Sequence, residues 1–389
     1  MDLSFKYQAL GVIHESPEWL LYRARSLRPG PPLLLKVSRA STASPARERL
    51  QHEYELGRHL DSPTIARPLA LGSWQGQPAL VLEGGSGSLQ VLLDAPVPLE
   101  RFLHLAARLA AALAELHRHH VIHKDLKPDN LLVEPETDEV KLMGLGLATR
   151  LSDDEQRTPQ DSGLLEGSLA YISPEQTGRT RRVLDGRTDL YSLGIVFYRM
   201  LTGTLPFHAE DAVEWVHCHL ARVPPPLHER APSVPQVVDH IVLKLLAKVP
   251  EERYQSAWGL RHDLERCLEQ LQRTGHVSPF PLGEQDVSDR FLVPHRLYGR
   301  EQELAALHAA FERVTARGLP ELVLVSGAPG IGKTTLVEEL RQPVLRERGL
   351  FLAGKFDQLQ RNVPYATLVQ AFRGVMHALL AESEEQVRA

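Results

Sequence analysis

The sequence has few cysteines and no long apolar run. Its two cysteines, Cys218 and Cys267, stand far apart in a chain of 389 residues, which favours isolated thiols in a reducing compartment over a disulfide framework. The most apolar long stretch, Leu103–Leu116, contains Arg108 and Glu115, so it does not predict a transmembrane helix. The N-terminal residues hold no apolar segment of signal-peptide length. We therefore expect a cytoplasmic protein.

A strong charge of one sign is also missing. The formal net charge is −5, from 49 acidic and 44 basic residues, which gives no reason to expect nucleic acid or a membrane as a partner. Hydrophobic residues make up 43% and charged residues 24% of the chain, proportions that are typical of a soluble globular protein. At this length we expect two to three domains.

Lysine is scarce as well, yet three lysines stand in patterns that nucleotide chemistry explains. The chain has nine lysines among its 44 basic residues. One of the three, Lys127, belongs to the stretch Val121–Asn130, which reads VIHKDLKPDN. In this stretch Asp125 follows a histidine by two positions, and Asn130 follows Asp125 by five. The spacing resembles the catalytic loop of eukaryotic-type protein kinases, H-[RK]-D-x-K-x-x-N.

This resemblance implies a role for each polar residue of the loop. Asp125 would accept the hydrogen bond of a substrate hydroxyl, Lys127 would lie near the γ-phosphate of ATP, and Asn130 would hold Mg²⁺. A lysine at this position is typical of serine/threonine kinases. The alternative is a surface loop with scattered charges, which the flanking segments disfavour because they match the same family.

The segments before this loop predict a small antiparallel sheet. Five stretches alternate apolar and polar residues or form short apolar runs, namely Phe5–Val12, Trp19–Arg25, Pro32–Ser38, Arg67–Trp74 and Ala79–Glu83. The resemblance implies that Lys36 on the third strand pairs with the ATP phosphates and with Glu53 on the following helix. A solvated surface charge is the alternative for Glu53. The backbone of Glu83 and Gly85 would contact adenine.

Two features of the kinase family are missing. The loop that covers the phosphates reads G-x-G-x-x-G in kinases. The stretch Gly11–Trp19 keeps only Gly11 as a candidate phosphate contact, and Pro17 removes a backbone N–H. Where kinases have Asp-Phe-Gly, with the Asp on Mg²⁺, the chain has Gly144-Leu145-Gly146. We therefore predict that the principal metal carboxylate is absent.

Residues with scaffold roles in kinases follow in the family's order. Ser168 keeps the hydroxyl that would face the catalytic loop, and Glu175 in the segment Ser-Pro-Glu resembles the last residue of A-P-E. Asp189, in an apolar helix, would brace the catalytic loop, and Arg253 would pair with Glu175. Apolar periodicity predicts further helices at about 210–221, 235–247 and 256–271.

A second nucleotide site is predicted towards the end of the chain. Glu321–Ser326, which reads ELVLVS, predicts a buried strand, and it leads into G-x-x-x-x-G-K-T and an amphipathic helix. This is the context of a P-loop, in which backbone N–H groups converge on phosphates. Lys333 would reach the β- and γ-phosphates, and Thr334 would bind Mg²⁺. The predicted ATP-binding residues are Gly327, Gly330, Gly332, Lys333, Thr334 and Thr335.

The sequence predicts only the first part of a P-loop ATPase domain. No apolar run that ends in Asp-Asp or Asp-Glu follows Thr335, so no Walker B strand is predicted. Leu350–Ala353 predicts a second short strand, and two strands expose sheet edges and cannot bury a full core. We therefore expect the chain to carry a truncated AAA-type domain.

The combined segments resemble one family more closely than kinases in general. The run from SLAYISPEQTG to YRMLTGTLPF, then LYGREQEL and the P-loop, resembles the N-terminal part of bacterial multidomain signalling kinases. In these proteins a serine/threonine-kinase-like domain precedes an AAA-type ATPase, and GAF and histidine kinase modules follow. The resemblance predicts an α+β bilobal protein-kinase-like fold, followed by the start of an α/β P-loop NTPase domain. The predicted ranges are 1–272 for the kinase-like domain (N-lobe about 1–84, C-lobe about 85–272), 273–296 for a linker and 297–389 for the ATPase domain.

Three functions stay open at this point. The first is a serine/threonine kinase that transfers phosphate from ATP, with Mg²⁺, to protein substrates. The second is a pseudokinase that keeps the fold and serves downstream signalling modules as a nucleotide-binding regulatory or docking module. The third is a nucleotide-dependent switch ATPase, in which the P-loop acts and the kinase fold is a sensor.

Overall fold

The computed structural model divides the chain into two units, and each has its own set of elements. It describes residues 2–39, 45–84, 87–151, 167–179, 183–287, 299–328, 331–347, 349, 351, 352 and 372. One unit comprises residues 1–208 and 224–289, and the other comprises residues 209–223 and 290–389. Of the predicted site residues, Gly85 and Gly330 lie outside the described residues.

A five-stranded antiparallel sheet forms the N-lobe of the first unit. Its strands lie in the order β1-β2-β3-β5-β4, with the bounds β1 Tyr7–Glu15, β2 Trp19–Ser26, β3 Leu33–Ser38, β4 Pro68–Trp74 and β5 Gln77–Glu83. All five predicted strands are therefore present. The first continues past its predicted end at Val12, because His14 and Glu15 still pair with Leu21 and Leu20. The turn between β1 and β2 consequently begins at Ser16.

Both faces of this sheet are apolar. On one face Ala24, Leu35 and Val81 form a buried cluster with Leu3. On the other face a second cluster joins the sheet to the helix that follows β3 and to the C-lobe. Its members are Leu21, Leu34, Leu50, Ala66, Leu80, Leu82, Leu132 and Met143. The alternating side chains of each strand thus supply two separate cores.

Helices make up most of the rest of the described chain. Their bounds are α1 Pro45–Gly57, α2 Leu99–Arg118, α3 Gly186–Thr202, α4 Ala212–Leu220, α5 Leu227–Arg230, α6 Gln236–Leu245, α7 Ala257–Thr274, α8 Glu301–Arg317, α9 Lys333–Glu338 and α10 Arg341–Arg346. The predicted helices near 210–221, 235–247 and 256–271 correspond to α4, α6 and α7. The strand-rich N-lobe and helical C-lobe confirm the predicted bilobal fold.

Two helices form the centre of the C-lobe. The rings of Phe102 on α2 and Phe197 on α3 pack edge to face, with centroids 5.4 Å apart, a favoured geometry for aromatic pairs. Both side chains are fully buried. No helix of the described residues, α2 included, is long and apolar enough to cross a membrane.

Short strands connect the C-lobe helices to the cleft between the lobes. They are β6 Gly87–Ser88, β7 Val121–Ile122, β8 Leu131–Val133, β9 Val140–Leu142 and β10 Thr149–Arg150. β6, β8 and β9 form one antiparallel sheet, and β7 pairs with β10. The stretch Val121–Asn130 runs from β7 towards β8, so these pairings fix both of its ends.

The predicted pair of Glu175 and Arg253 lies in the interior of the C-lobe. Arg253 donates two hydrogen bonds to the Glu175 carboxylate, of 2.7 and 2.9 Å, and Thr188 donates a third of 3.0 Å. Burial by itself raises the pKa of the Glu175 carboxyl, but the charge of Arg253 and these hydrogen bonds outweigh it. The pKa of Glu175 is therefore lowered.

The predicted buried strand Glu321–Ser326 is wrong. These residues form neither a helix nor a strand, and Leu322 and Leu324 are 96% and 89% exposed. A strand needs neighbours to satisfy its backbone N–H and C=O groups, and no strand of the described residues pairs with this segment. The second predicted strand, Leu350–Ala353, lies largely outside the described residues.

We expect Arg253→Met to lower the free energy of unfolding by about 3–5 kcal/mol, because it leaves the Glu175 carboxylate buried without its cation. The shift of the urea midpoint, followed by far-ultraviolet circular dichroism, measures this loss. Adding Glu175→Leu removes the stranded charge, so the double variant should be more stable than Arg253→Met alone. A double variant that is no more stable would contradict this account of the pair.

The pH dependence of the same variants provides a control. Because the folded-state pKa of Glu175 is lowered from 4.5, its stabilising contribution is present above that value and is lost as the pH falls through the lowered pKa. The advantage of the wild-type chain over the double variant should therefore shrink in acid, and it should not change as the pH rises above neutrality.

Candidate nucleotide and phosphotransfer site

One buried carboxylate holds the backbone of the stretch Val121–Asn130. Asp189 is fully buried and accepts hydrogen bonds from the backbone N–H groups of His123 and Lys124, both of 2.9 Å. Its Oδ2 also lies 2.8 Å from Nε2 of His117. Lys124 has a φ of +66°, a left-handed conformation that is uncommon for lysine. The geometry of Asp189 thus fits its predicted bracing role.

His123 links this stretch to the segment before Gly144. The backbone N–H of Asp125 donates to its Nδ1 over 3.3 Å, and its Nε2 lies 2.8 Å from the carbonyl oxygen of Met143. Since Nδ1 accepts, Nε2 carries the proton and donates. The imidazole therefore sets the position of Met143 and of the residue that follows it.

Asp125, Lys127 and Ser168 come together as predicted. The Lys127 ammonium donates to Ser168 Oγ over 2.7 Å and lies 3.6 Å from Asp125 Oδ2. The backbone N–H of Ser168 donates to Asp125 Oδ1 over 3.1 Å. A carboxylate beside a lysine and a hydroxyl could orient a protein substrate, which is the arrangement that the sequence predicts.

Lys36 and Glu53 form the predicted pair between β3 and α1. Their ammonium nitrogen and Oε2 are 2.7 Å apart, and both residues are buried. The other oxygen of Glu53 accepts a 2.7 Å hydrogen bond from the backbone N–H of Gly144. The alternative of a solvated surface charge at Glu53 is therefore wrong, because the carboxylate joins the N-lobe to the segment that follows β9.

One of the oxygen ligands that a Mg²⁺ ion in this cleft would use is missing. Gly144 supplies no carboxylate and has a φ of +83°. The amide nitrogen of Asn130 donates to the backbone oxygen and to Oδ2 of Asp125, over 2.8 and 3.0 Å, so these two bonds do not occupy its Oδ1. A Cβ added to Gly144 would lie 2.4 Å from Asn130 Oδ1. The asparagine amide thus takes the space that a side chain at position 144 needs.

An open cleft lies on the Lys36 side of the predicted nucleotide site. Lys36, Glu53, Asp125, Lys127, Asn130 and Gly144 contribute to its wall. Glu83 does not, and its backbone N–H donates to the carbonyl oxygen of Arg67. That N–H is therefore not available for the predicted adenine contact.

The predicted phosphate contact at Gly11 is wrong. Gly11 pairs with Arg23 within β1, and a Cβ added to it would meet nothing within 4 Å. It does not line the cleft. The prediction failed because β1 extends to Glu15, which moves the turn beyond Gly11.

Several residues of the cleft wall were missed, and His14, Trp19 and Asp129 are among them. Strand alternation could have found His14, because it pairs with Leu21, whose side chain is buried on the cleft side of the sheet. Trp19 begins β2, three positions beyond the last glycine position of a G-x-G-x-x-G pattern that starts at Gly11. Asp129 lies inside the catalytic-loop pattern at a position that the pattern leaves free.

The described part of the predicted P-loop precedes a short helix. Gly332 has a φ of +92° and stands directly before α9, which contains Lys333, Thr334 and Thr335. The Lys333 ammonium donates to the carbonyl oxygens of Gly327 and Ala328, over 2.9 and 2.8 Å. The lysine thus folds back over its own loop, where its charge faces the side on which the phosphates are predicted.

Comparison with known proteins matches both parts of the chain to families. Residues 21–264 match the protein kinase domain, and residues 296–389 match an AAA ATPase domain. The hybrid signal transduction histidine kinase G of Dictyostelium discoideum is 37% identical over 245 residues, which are 58% of this chain and 7% of that protein.

Two bacterial kinases are also similar. Serine/threonine-protein kinase pkn3 of Myxococcus xanthus is 31% identical over 284 residues, 70% of this chain and 51% of that protein. Serine/threonine-protein kinase PrkC of Bacillus subtilis is 30% identical over 272 residues, 69% of this chain and 41% of that protein. The chain thus spans about half, or less, of the length of these relatives. It belongs to the protein kinase domain family, and an AAA ATPase domain sequence follows its kinase domain.

Proposed function

We propose that the kinase domain of this chain is a pseudokinase, a regulatory or docking module that does not itself transfer phosphate. The observation that carries the proposal is at position 144. Gly144 stands where the principal metal carboxylate would be, and the amide of Asn130 lies against it and is hydrogen-bonded to Asp125. Its partners would be downstream signalling modules.

Electrostatics explains why this loss matters more than the residues that remain. Phosphoryl transfer depends mainly on positioning and on neutralising the charge of the transferred group, and the metal ions supply much of that neutralisation. Lys36, in the predicted pair with Glu53, and Lys127, next to Ser168, each supply one positive charge. A single ammonium does not bridge the β- and γ-phosphate oxygens as the metal ions do.

The second candidate is an active serine/threonine kinase. The arrangement that favours it is the contact of Asp125, Lys127 and Ser168, which leaves a carboxylate and a lysine next to each other at the edge of the cleft. An active kinase would have to position ATP with a reduced set of metal ligands.

The nucleotide-responsive part of the chain is, in this proposal, the P-loop. Lys333 is held by carbonyl oxygens that a phosphate would outcompete for its charge. Thr334 is exposed directly after it and could bind Mg²⁺. The kinase domain would then respond to, or present partners to, a domain that binds ATP.

We expect the purified chain to transfer no more phosphate to a generic serine/threonine substrate than its Asp125→Asn variant does. The assay uses labelled ATP with either Mg²⁺ or Mn²⁺, and it measures label in the protein substrate. ATP hydrolysis at the P-loop does not affect this measurement, because it leaves no label in the protein substrate. Transfer more than about tenfold above that of Asp125→Asn would contradict the pseudokinase proposal, since typical protein kinases turn over at roughly 1–100 s⁻¹.

Gly144→Asp tests whether the missing carboxylate alone explains inactivity. We expect it to lower the free energy of unfolding by about 1–3 kcal/mol, because a side chain meets Asn130 and the backbone is left-handed there. We expect no phosphate transfer from this variant. Gly144→Ala is the matched control, since it adds the same Cβ without the carboxylate. A gain of transfer in the aspartate variant alone would show that Asn130 makes room for a metal ligand.

ATP should raise the melting temperature of the chain through the P-loop. At about 100 times the dissociation constant, the stabilisation is about 2.7 kcal/mol, which differential scanning fluorimetry detects. We expect Lys333→Ala to abolish the shift and Lys6→Ala, an exposed lysine of the N-lobe, to leave it unchanged. If Lys36→Ala abolished the shift instead, the nucleotide would be shown to bind in the kinase cleft.

A further inference from the structure

Three of the four positions from 16 to 19, in the turn between β1 and β2, offer no free backbone donor. The N–H of Ser16 donates to the carbonyl oxygen of Trp19 over 2.9 Å, and the N–H of Trp19 donates to Ser16 Oγ over 3.0 Å. Pro17 has no N–H to offer. A loop that covers phosphates does so with free backbone N–H groups, and at these three positions the turn has none.

Trp19 covers the lysine that would bind phosphate. The Lys36 ammonium lies 4.7 Å from the centre of the Trp19 ring, a cation–π distance, while Glu53 contacts the same ammonium over 2.7 Å. The lysine is only 5% exposed. Its charge is therefore satisfied by two groups of the protein, one of which comes from the turn itself.

His14 joins the same hairpin to the opposite lobe. Its Nε2 is in ion-pair contact with Oδ1 of Asp129, which belongs to the catalytic-loop stretch. Both side chains are largely buried, with 17% and 25% of their surface exposed. Both residues line the cleft, so the contact joins the two lobes across it.

Two arginines also bind the hairpin. Arg39, directly after β3, contacts Glu15 over 2.5 Å, and its backbone N–H donates to the carbonyl oxygen of Glu18 over 2.9 Å. Arg49 on α1 lies 3.3 Å from the carboxylate of Glu18. These pairs are more exposed than the inner contacts, so each stabilises the hairpin only weakly, but both hold it down towards the cleft.

The inner end of the site is filled by apolar side chains. Leu34, Leu82 and Leu132 are fully buried and belong to one cluster. Leu34 Cδ1 lies 3.6 Å from the point where a side chain at Gly84 would begin. Leucines therefore occupy the space between the Lys36 strand and the segment predicted to contact adenine.

We infer that the β1–β2 hairpin, residues 14–19, is a built-in plug that keeps nucleoside triphosphates out of the kinase cleft and joins the two lobes in their place. His14 and Trp19 are the side chains that block it. The inference extends the proposed function, because a domain that transfers no phosphate has no need of its own nucleotide. A pseudokinase that still bound ATP would leave the proposed function intact and overturn only the plug.

The test measures nucleotide binding in the full chain with the P-loop silenced by Lys333→Ala. Fluorescence anisotropy follows the titration of an ATP that carries a ribose-linked fluorophore, in the presence of Mg²⁺. We expect no saturable binding in this chain. Adding His14→Gly and Trp19→Gly should create saturable binding at least about tenfold tighter than any residual binding, and Lys36→Ala should remove it again.

Glu15→Gln in the same background is the matched control. It lies in the hairpin and loses only the outer contact with Arg39, so it should leave the cleft closed. Saturable binding in the Lys333→Ala chain that Lys36→Ala removes would overturn the inference. So would a double glycine variant that is folded, by its far-ultraviolet circular dichroism, and still binds no nucleotide.

A second measurement keeps the inference testable if the double glycine variant does not fold. Hydrogen–deuterium exchange of residues 14–19 and 121–130 is followed in the Lys333→Ala chain with and without millimolar ATP. A hairpin that already joins the lobes should exchange at the same rate in both. Slower exchange with ATP at both segments would mean that nucleotide, rather than the hairpin, closes the cleft, and it would overturn the inference.

Discussion

The kinase cleft depends on one buried carboxylate, that of Glu53. It binds the ammonium of Lys36 on β3 with one oxygen and the backbone N–H of Gly144 with the other. A buried carboxylate that lost either partner would destabilise the fold by several kcal/mol, so β3, α1 and the segment after β9 are fixed relative to one another. The catalytic-loop stretch then follows from that arrangement, because His123 bonds to Met143, the neighbour of Gly144.

The chain keeps the family residues whose removal would destabilise the fold. The residue that it lacks is one whose removal would not. Asp189 holds two backbone N–H groups in full burial, and Arg253 and Glu175 satisfy each other in the interior. Removing one partner from either set leaves a stranded charge. A metal ligand at position 144 stabilises no folded contact by itself, and the hydrogen bond from Asn130 to Asp125 is present without it. The fold can therefore persist in a chain that lacks this metal ligand.

A kinase cleft closed by its own hairpin changes how the two parts of the chain divide their work. In an ordinary kinase the nucleotide bridges the lobes, whereas here His14 and Asp129 provide a bridge made of protein groups. The lobes then need no ligand to stay closed, and the response to ATP passes to the P-loop sequence that follows. Such a division suits a module that presents a constant surface to signalling partners.

The fold and most of the named site residues could be predicted from local patterns in the sequence. The spacing around Asp125, the strand lysine Lys36 and the order of Glu175, Asp189 and Arg253 reflect contacts that any chain of this fold must make. The side chains that fill the cleft could not be predicted in this way. The contacts of Trp19 with Lys36 and of Asn130 with Gly144 depend on strand register and on the free space between distant segments. Local sequence patterns encode neither. The run ELVLVS likewise has the local pattern of a strand. It does not form one, because a strand needs neighbouring strands that pair with its backbone.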